Sequence, residues 1–120
     1  MSLKIYHYAN CSTCKKALKF LESNSIEFSA IPIREKPPTK TELKDVLKAY
    51  DGEIRKLFNT SGMDYRELGM KEKLPSMSEK EAIDLLASRG NLVKRPFVVS
   101  KDAKLVGFKE DVWKQQFNIE

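Results

Sequence analysis

Apolar positions along this chain alternate between two spacings, and the switches between them mark out the elements. Leu3-Lys4-Ile5-Tyr6-His7-Tyr8 is a short aromatic and aliphatic run of strand character. From Cys14 the period lengthens: Cys14, Ala17, Leu18 and Leu21 fall at i, i+3, i+4 and i+7, one face of an amphipathic helix expected near residues 12–24. Glu27 to Ile33 reads as a second strand, and Pro32 inside it, lacking a donor, assigns that strand to a sheet edge. Glu35-Lys36-Pro37-Pro38 then breaks the chain.

The stretch from about 39 to 90 is helical in pattern. Thr39 with Glu42 forms a capping box, and Leu43, Val46, Leu47 and Tyr50 trace the buried face of the helix behind it. Gly52 and Gly62 punctuate two short helical pieces, around Ile54 to Phe58 and around Tyr65 to Leu68. Ser78 with Glu81 caps a further helix with Ala82, Leu85 and Leu86 as its expected core face, and Gly90 is read as its stop. The remainder predicts a hairpin, Phe97-Val98-Val99 against Leu105-Val106-Gly107-Phe108 with a turn at Ser100 to Ala103, and a final helix from Glu110 to Phe117.

Composition narrows the classes. A chain of 120 residues, 41% hydrophobic and 32% charged, fits a single globular domain over 1–120, and no apolar run approaches a membrane span. The net charge of +5 is spread over lysines that alternate with acids, as in Lys71-Glu72-Lys73, a pattern of solvated faces that gives no sign of direct nucleic-acid readout. No leader pattern opens the sequence, so a reducing, cytoplasmic setting is expected.

The chemistry concentrates at Cys11-Ser12-Thr13-Cys14, which holds both of the chain's cysteines. The pair lies between a strand and the start of a helix. There, unpaired N–H groups and the helix dipole favour thiolate over thiol, against an ordinary value of about 8.5. Two cysteines and one histidine fall short of the four ligands of a structural zinc site, so no metal is expected. A bridge across two intervening residues is a poor structural staple. Two ordinary buried cysteines remain the plain alternative, but Asn, Ser and Thr surround the pair, and C-x-x-C beside a βαβ pattern points to thiol redox chemistry.

The order βαβ with a C-x-x-C, then a helical insertion of about residues 39–90, then ββα, is that of an α/β thioredoxin-like fold around a mixed four-stranded sheet. Such a fold carries a cis proline before its third strand, facing the cysteines, and Pro96 stands at that position.

Several motifs in order make the resemblance specific: Ile5-Tyr6-His7 to Cys11, Leu57-Phe58-Asn59-Thr60-Ser61-Gly62, Tyr65-Arg66-Glu67-Leu68, Lys94-Arg95-Pro96-Phe97-Val98-Val99 and Val106-Gly107-Phe108-Lys109-Glu110. Over nearly its whole length the chain resembles the arsenate reductase/Spx family of thioredoxin-fold proteins, and within it the arsenate reductase-like branch. The resemblance implies Cys11 as attacking thiolate, Arg95 beside it as thiolate stabiliser and oxyanion or carboxylate binder, and Cys14 as resolving thiol. It adds Ser12 and Thr13 as N–H donors, His7 as a tuning partner, and Pro96 and Asn59 as further site residues. No bound cofactor is implied; glutathione, glutaredoxin or thioredoxin would serve as external reductant for a small oxyanion or disulfide substrate. The arsenate reductases of this fold hold arsenate with three arginines. Here Arg95 alone aligns, with Asn59 and Gly107 at the other two places, and losing two charge-assisted contacts removes about 3 kcal/mol of oxyanion binding. Efficient arsenate reduction is therefore not expected. The alternative implied by the resemblance is an Spx-like redox-sensing regulator that binds the C-terminal domain of the RNA polymerase α subunit, Gly52 lying near the matching contact.

Overall fold

The computed structural model describes residues 3–119. Strand β1 (Leu3–His7) runs parallel to β2 (Phe28–Pro32) and antiparallel to β3 (Phe97–Val99). Strand β3 in turn pairs antiparallel with β4 (Lys104–Val106), giving the order β2-β1-β3-β4. The mixed four-stranded sheet is the expected thioredoxin-like core, and Pro32 does sit on an edge strand, where its missing N–H costs no ladder bond.

Side chains alternate across the sheet with period two and so divide the core in two. Leu3, Ile5, Val98 and Leu105 face helices α1 (Ser12–Ser23) and α6 (Glu110–Gln116), packing with Ala17, Leu21 and Trp113. Tyr6, Phe97 and Val99 face the other way, into a larger cluster with the 40–93 region. That region holds α2 (Lys40–Ala49), α3 (Met63–Glu67), α4 (Met70–Lys73) and α5 (Glu79–Ser88), with 3-10 turns at Ile54–Leu57, Leu74–Ser76 and Gly90–Leu92. Both capping boxes form as their sequences predict. The box carboxylate of Glu42 also accepts from Tyr6 Oη at 2.6 Å and Lys4 Nζ at 3.0 Å, which pins α2 to β1.

Some sequence expectations need correction. In α5 the buried positions are Ala82, Ile83 and Leu86, and Leu85 is only half-buried, because the helix presents its i, i+1, i+4 edge to the core. In α1, Phe20 is buried and Leu18 is not. Tyr50, only half-buried, packs at the margin of the core beside Leu43, Val46 and Leu47, and its hydroxyl accepts the Val106 N–H at 2.9 Å, capping the open edge of β4. The fourth strand stops at Val106 because Gly107 takes a positive φ of 70°. The piece at Ile54–Leu57 is a 3-10 turn, and α4 has no clear signal in the sequence. Gly90 does not end α5 by a left-handed turn. A Cβ there would lie 1.8 Å from the Ile33 carbonyl oxygen, so glycine is required by the close passage of another backbone.

Candidate active site

The cysteine turn follows directly from the end of β1. The Cys11 N–H donates to the Tyr8 carbonyl at 3.0 Å, and the Lys15 N–H donates to the Cys11 carbonyl at 3.0 Å, which starts α1. Cys11 is the N-cap residue, with extended backbone angles of φ −91° and ψ 116°, and its sulfur accepts the Cys14 N–H at 3.4 Å. A sulfur atom thus stands where serine or aspartate oxygens usually cap helices, among donors that suit an anion.

The two thiols, both free, diverge sharply. Partial burial opposes ionisation of Cys11, but hydrogen bonds from Cys14 and Thr13 and the charge of Arg95 outweigh it and lower its pKa below the ordinary value. Cys14 is buried, at 1% exposure, and that burial, reinforced by the neighbouring Cys11, pushes its thiol up to about 12. One thiol is prepared to ionise and its neighbour to stay protonated.

Arg95, half-buried, follows the 57–59/92–94 crossing, where Asn59 N–H donates to Leu92 O at 2.7 Å and Lys94 N–H to Leu57 O at 2.8 Å. Its guanidinium lies 5.1 Å from the Tyr8 ring centre, and its Nη1 is buried without an acceptor among the described residues. The Arg95–Pro96 peptide bond is cis. His7 ends β1 half-buried, with Nδ1 also lacking a partner. Asn59 is not drawn to the cysteine turn by any hydrogen bond among the described residues; its side chain folds against Gly62. Ser12 is exposed and Thr13 half-buried in the first turn of α1.

Two residues enter that sequence reading does not single out. Tyr8 lies between the strand and Cys11, and Arg34 reaches it from beyond β2. The Arg34 guanidinium is 4.9 Å from the Tyr8 ring centre, and its Nη1 donates to Tyr8 Oη at 2.9 Å. Asn10 Nδ2 donates to the same oxygen at 3.3 Å. The hydrogen bond from Asn10, then the charge of Arg34, lower the Tyr8 pKa. The signal available is the strand pairing itself: His7 sits opposite Pro32, so residues just past both strand ends become neighbours. Crevices outside the carboxyl ends of parallel strands are where open α/β sheets bind ligands.

A separate concavity lies elsewhere, a groove of about 550 Å³ beside β4 lined by Arg55, Lys56, Lys94 and Lys109 over Phe58 and Trp113, and neither cysteine borders it. Among the described residues no three His, Cys, Asp or Glu side chains gather as a metal site, and no helix is long and apolar enough to cross a membrane.

The ArsC family model matches residues 6–116. The chain belongs to the ArsC family. A Bacillus subtilis protein called YusI, described as uncharacterized, is 49% identical over 117 residues, covering 98% of this chain and 99% of that one. An arsenate reductase of Rhizobium meliloti is 30% identical over 100 residues, 83% of this chain and 70% of its own length. The regulatory protein MgsR of Bacillus subtilis is 26% identical over 106 residues, 88% of this chain and 82% of its own. The solved structure of an ArsC family related protein from Bacteroides fragilis superposes with a TM-score of 0.89 at 45% identity, covering 97% of this chain and 98% of that one. Homologues therefore include both reductases and regulators on one thioredoxin-like fold.

Proposed function

We propose that the protein is a cytoplasmic thiol–disulfide oxidoreductase of arsenate reductase-like type. The supporting observation is the split between its two thiols: Cys11 is half-exposed and favoured as thiolate, while Cys14, one helical turn on, is buried and held protonated. Cys11 attacks one sulfur of a substrate disulfide; that S–S bond breaks, a mixed disulfide forms on Cys11, and the leaving thiolate takes a proton from water. Cys14 loses its proton and attacks the Cys11 sulfur, releasing the second substrate thiol and leaving a Cys11–Cys14 disulfide. A thiol reductant (glutathione, glutaredoxin or thioredoxin) returns the two electrons. Arg95 holds the Cys11 thiolate. Arsenate is a disfavoured substrate because Asn59 and Gly107 supply no cation at the remaining arginine positions.

The test is the ultraviolet thiolate titration of Cys11 in a Cys14→Ser background, with and without Arg95→Ala. A midpoint well under the free-cysteine value that rises on loss of Arg95 is expected. A midpoint at the free-cysteine value in both proteins overturns the reading.

A second reading is favoured by the basic groove, whose lining includes Tyr50 and Glu53 on either side of the Asp51-Gly52 turn. Here Cys11–Cys14 oxidation would govern docking of an acidic partner. The regulator resemblance implies the C-terminal domain of the RNA polymerase α chain as that partner. Binding of this domain by the oxidised protein, lost with dithiothreitol and with Arg55→Glu, would favour this reading over turnover.

A further inference from the structure

We infer that Arg34 is a second anion-holding guanidinium of the Cys11 site, selecting with Arg95 substrates that carry an oxyanionic group beside the sulfur Cys11 attacks. The inference rests on the thiol-exchange reading above and names the substrate class for it. The reactive step is unchanged: Cys11 sulfur bonds to the substrate sulfur, the substrate S–S bond breaks, and the anionic group is a spectator held by the two guanidiniums.

The support is geometric. The guanidiniums of Arg34 and Arg95 each lie about one van der Waals layer from the same ring, 4.9 and 5.1 Å from the Tyr8 centre, and Tyr8 is three residues before Cys11. Both guanidiniums border the one ring that leads into the Cys11 turn, and among the described residues no carboxylate lies within ion-pair distance of either arginine to neutralise them. Arg95 Nη1 is buried with no acceptor, a donor whose desolvation nothing in the folded chain offsets. Tyr8 Oη already accepts from Arg34 and Asn10, so its own O–H remains free to donate. Donors converge here from three elements that the sheet alone brings together, and planar guanidinium forks match carboxylate and tetrahedral oxyanions alike. Arg34 is exposed, so its contribution is screened by salt, whereas that of half-buried Arg95 is screened less.

The experiment compares Cys11 alkylation by iodoacetate, an anion, with alkylation by iodoacetamide, its neutral counterpart, the site of labelling being confirmed by peptide mapping. In Arg34→Gln the iodoacetate rate is expected to fall about fivefold while the iodoacetamide rate stays within about twofold, since one screened charge-assisted contact is lost but the thiolate is untouched. Arg34→Lys restores part of the iodoacetate rate, and high salt removes the wild-type preference. A merely structural role for Arg34 would move both reagents together; that result, or an unchanged ratio, overturns the inference. Succinate and inorganic phosphate as competitors of iodoacetate distinguish a carboxylate from a tetrahedral oxyanion, and competition by neither also counts against the site. The iodoacetamide rate and its pH midpoint report independently on Cys11, so failure of the exchange reading shows there and not in the ratio.

Discussion

Replacing Gly90 by alanine separates two accounts of that residue by the sign of the effect. As a simple helix stop with no positive φ, the position would accept alanine, and the variant would be unchanged or more stable by about 0.4–1 kcal/mol through the unfolded chain. The folded chain predicts the opposite. The new Cβ would stand 1.8 Å from the Ile33 carbonyl oxygen, 2.7 Å from its carbon and 3.1 Å from Arg34 Cα. A carbon–oxygen contact needs roughly 3.3 Å, so the two backbones must part by about 1.5 Å. No rotamer can relieve the clash, because every atom involved is main chain. Ile33 is fully buried and its N–H donates to His7 O at 2.9 Å, while Leu92, two residues past Gly90, is also fully buried. Overpacking costs about 1–3 kcal/mol where side chains can shift, and the upper end is expected here. For a chain of this length a loss of about 3 kcal/mol lowers Tm by roughly 10 °C. Urea unfolding followed by fluorescence of the single tryptophan, Trp113, measures it directly. An alanine variant as stable as the parent would refute the close-approach argument. Because the displaced atoms include Arg34 Cα, the same variant should also lose part of its preference for iodoacetate over iodoacetamide.

Three further outcomes follow from the packing and the charges. Glu42 is half-buried; its burial opposes ionisation, but bonds from Tyr6, Thr39 and Lys4 prevail and lower its pKa. Its contribution is therefore complete above the unfolded carboxylate value of about 4.3 and is lost as pH falls through the folded one, so Glu42→Gln should flatten the acid limb of the stability–pH curve, and superimposable curves would contradict this. Trp113 is 1% exposed, with its ring 4.9 Å from Phe108 and 5.7 Å from Phe20; Trp113→Ala should cost about 3–5 kcal/mol by circular dichroism, and a loss under about 1 kcal/mol would mean the cluster is not as packed. Ser78→Ala removes the oxygen that accepts Glu81 N–H at 3.1 Å and should cost about 1 kcal/mol in urea titrations.

Legibility in the sequence follows the range of the interactions. The cysteine turn, both capping boxes and the edge placement of Pro32 depend on residues within a few positions of one another, and local pattern shows them. Pattern alone puts Leu85 in the core and leaves Ile83 out of it, because the Ala82, Leu85, Leu86 spacing fits a helical face as well as Ala82, Ile83, Leu86 does; only the packing partner chooses between them. Gly90 is legible as a glycine but not as a contact, since Ile33 lies 57 positions earlier and no period links them. Tyr8 and Arg34 escape for the same reason: their meeting is a property of the His7–Pro32 register, which a single sequence does not display.

The opposed thiols also bear on the order of events in the proposed exchange. Cys14 must lose a proton to resolve the mixed disulfide, yet in the free protein its burial and the Cys11 thiolate both keep that proton in place. Once Cys11 carries the substrate sulfur, its negative charge is gone. The repulsion that raised Cys14 then disappears, while the Tyr8 backbone bond and the Arg95 charge, which favour the Cys14 thiolate, persist. Burial remains, so the resolving thiol is released from only part of its restraint. Cys14 is thus least able to react before substrate has bound and more able afterwards. Arg95 acts on both sulfurs in turn, which is why its removal should slow the first step through Cys11 and the second through Cys14, whereas removal of Arg34 should affect only the choice of what is attacked.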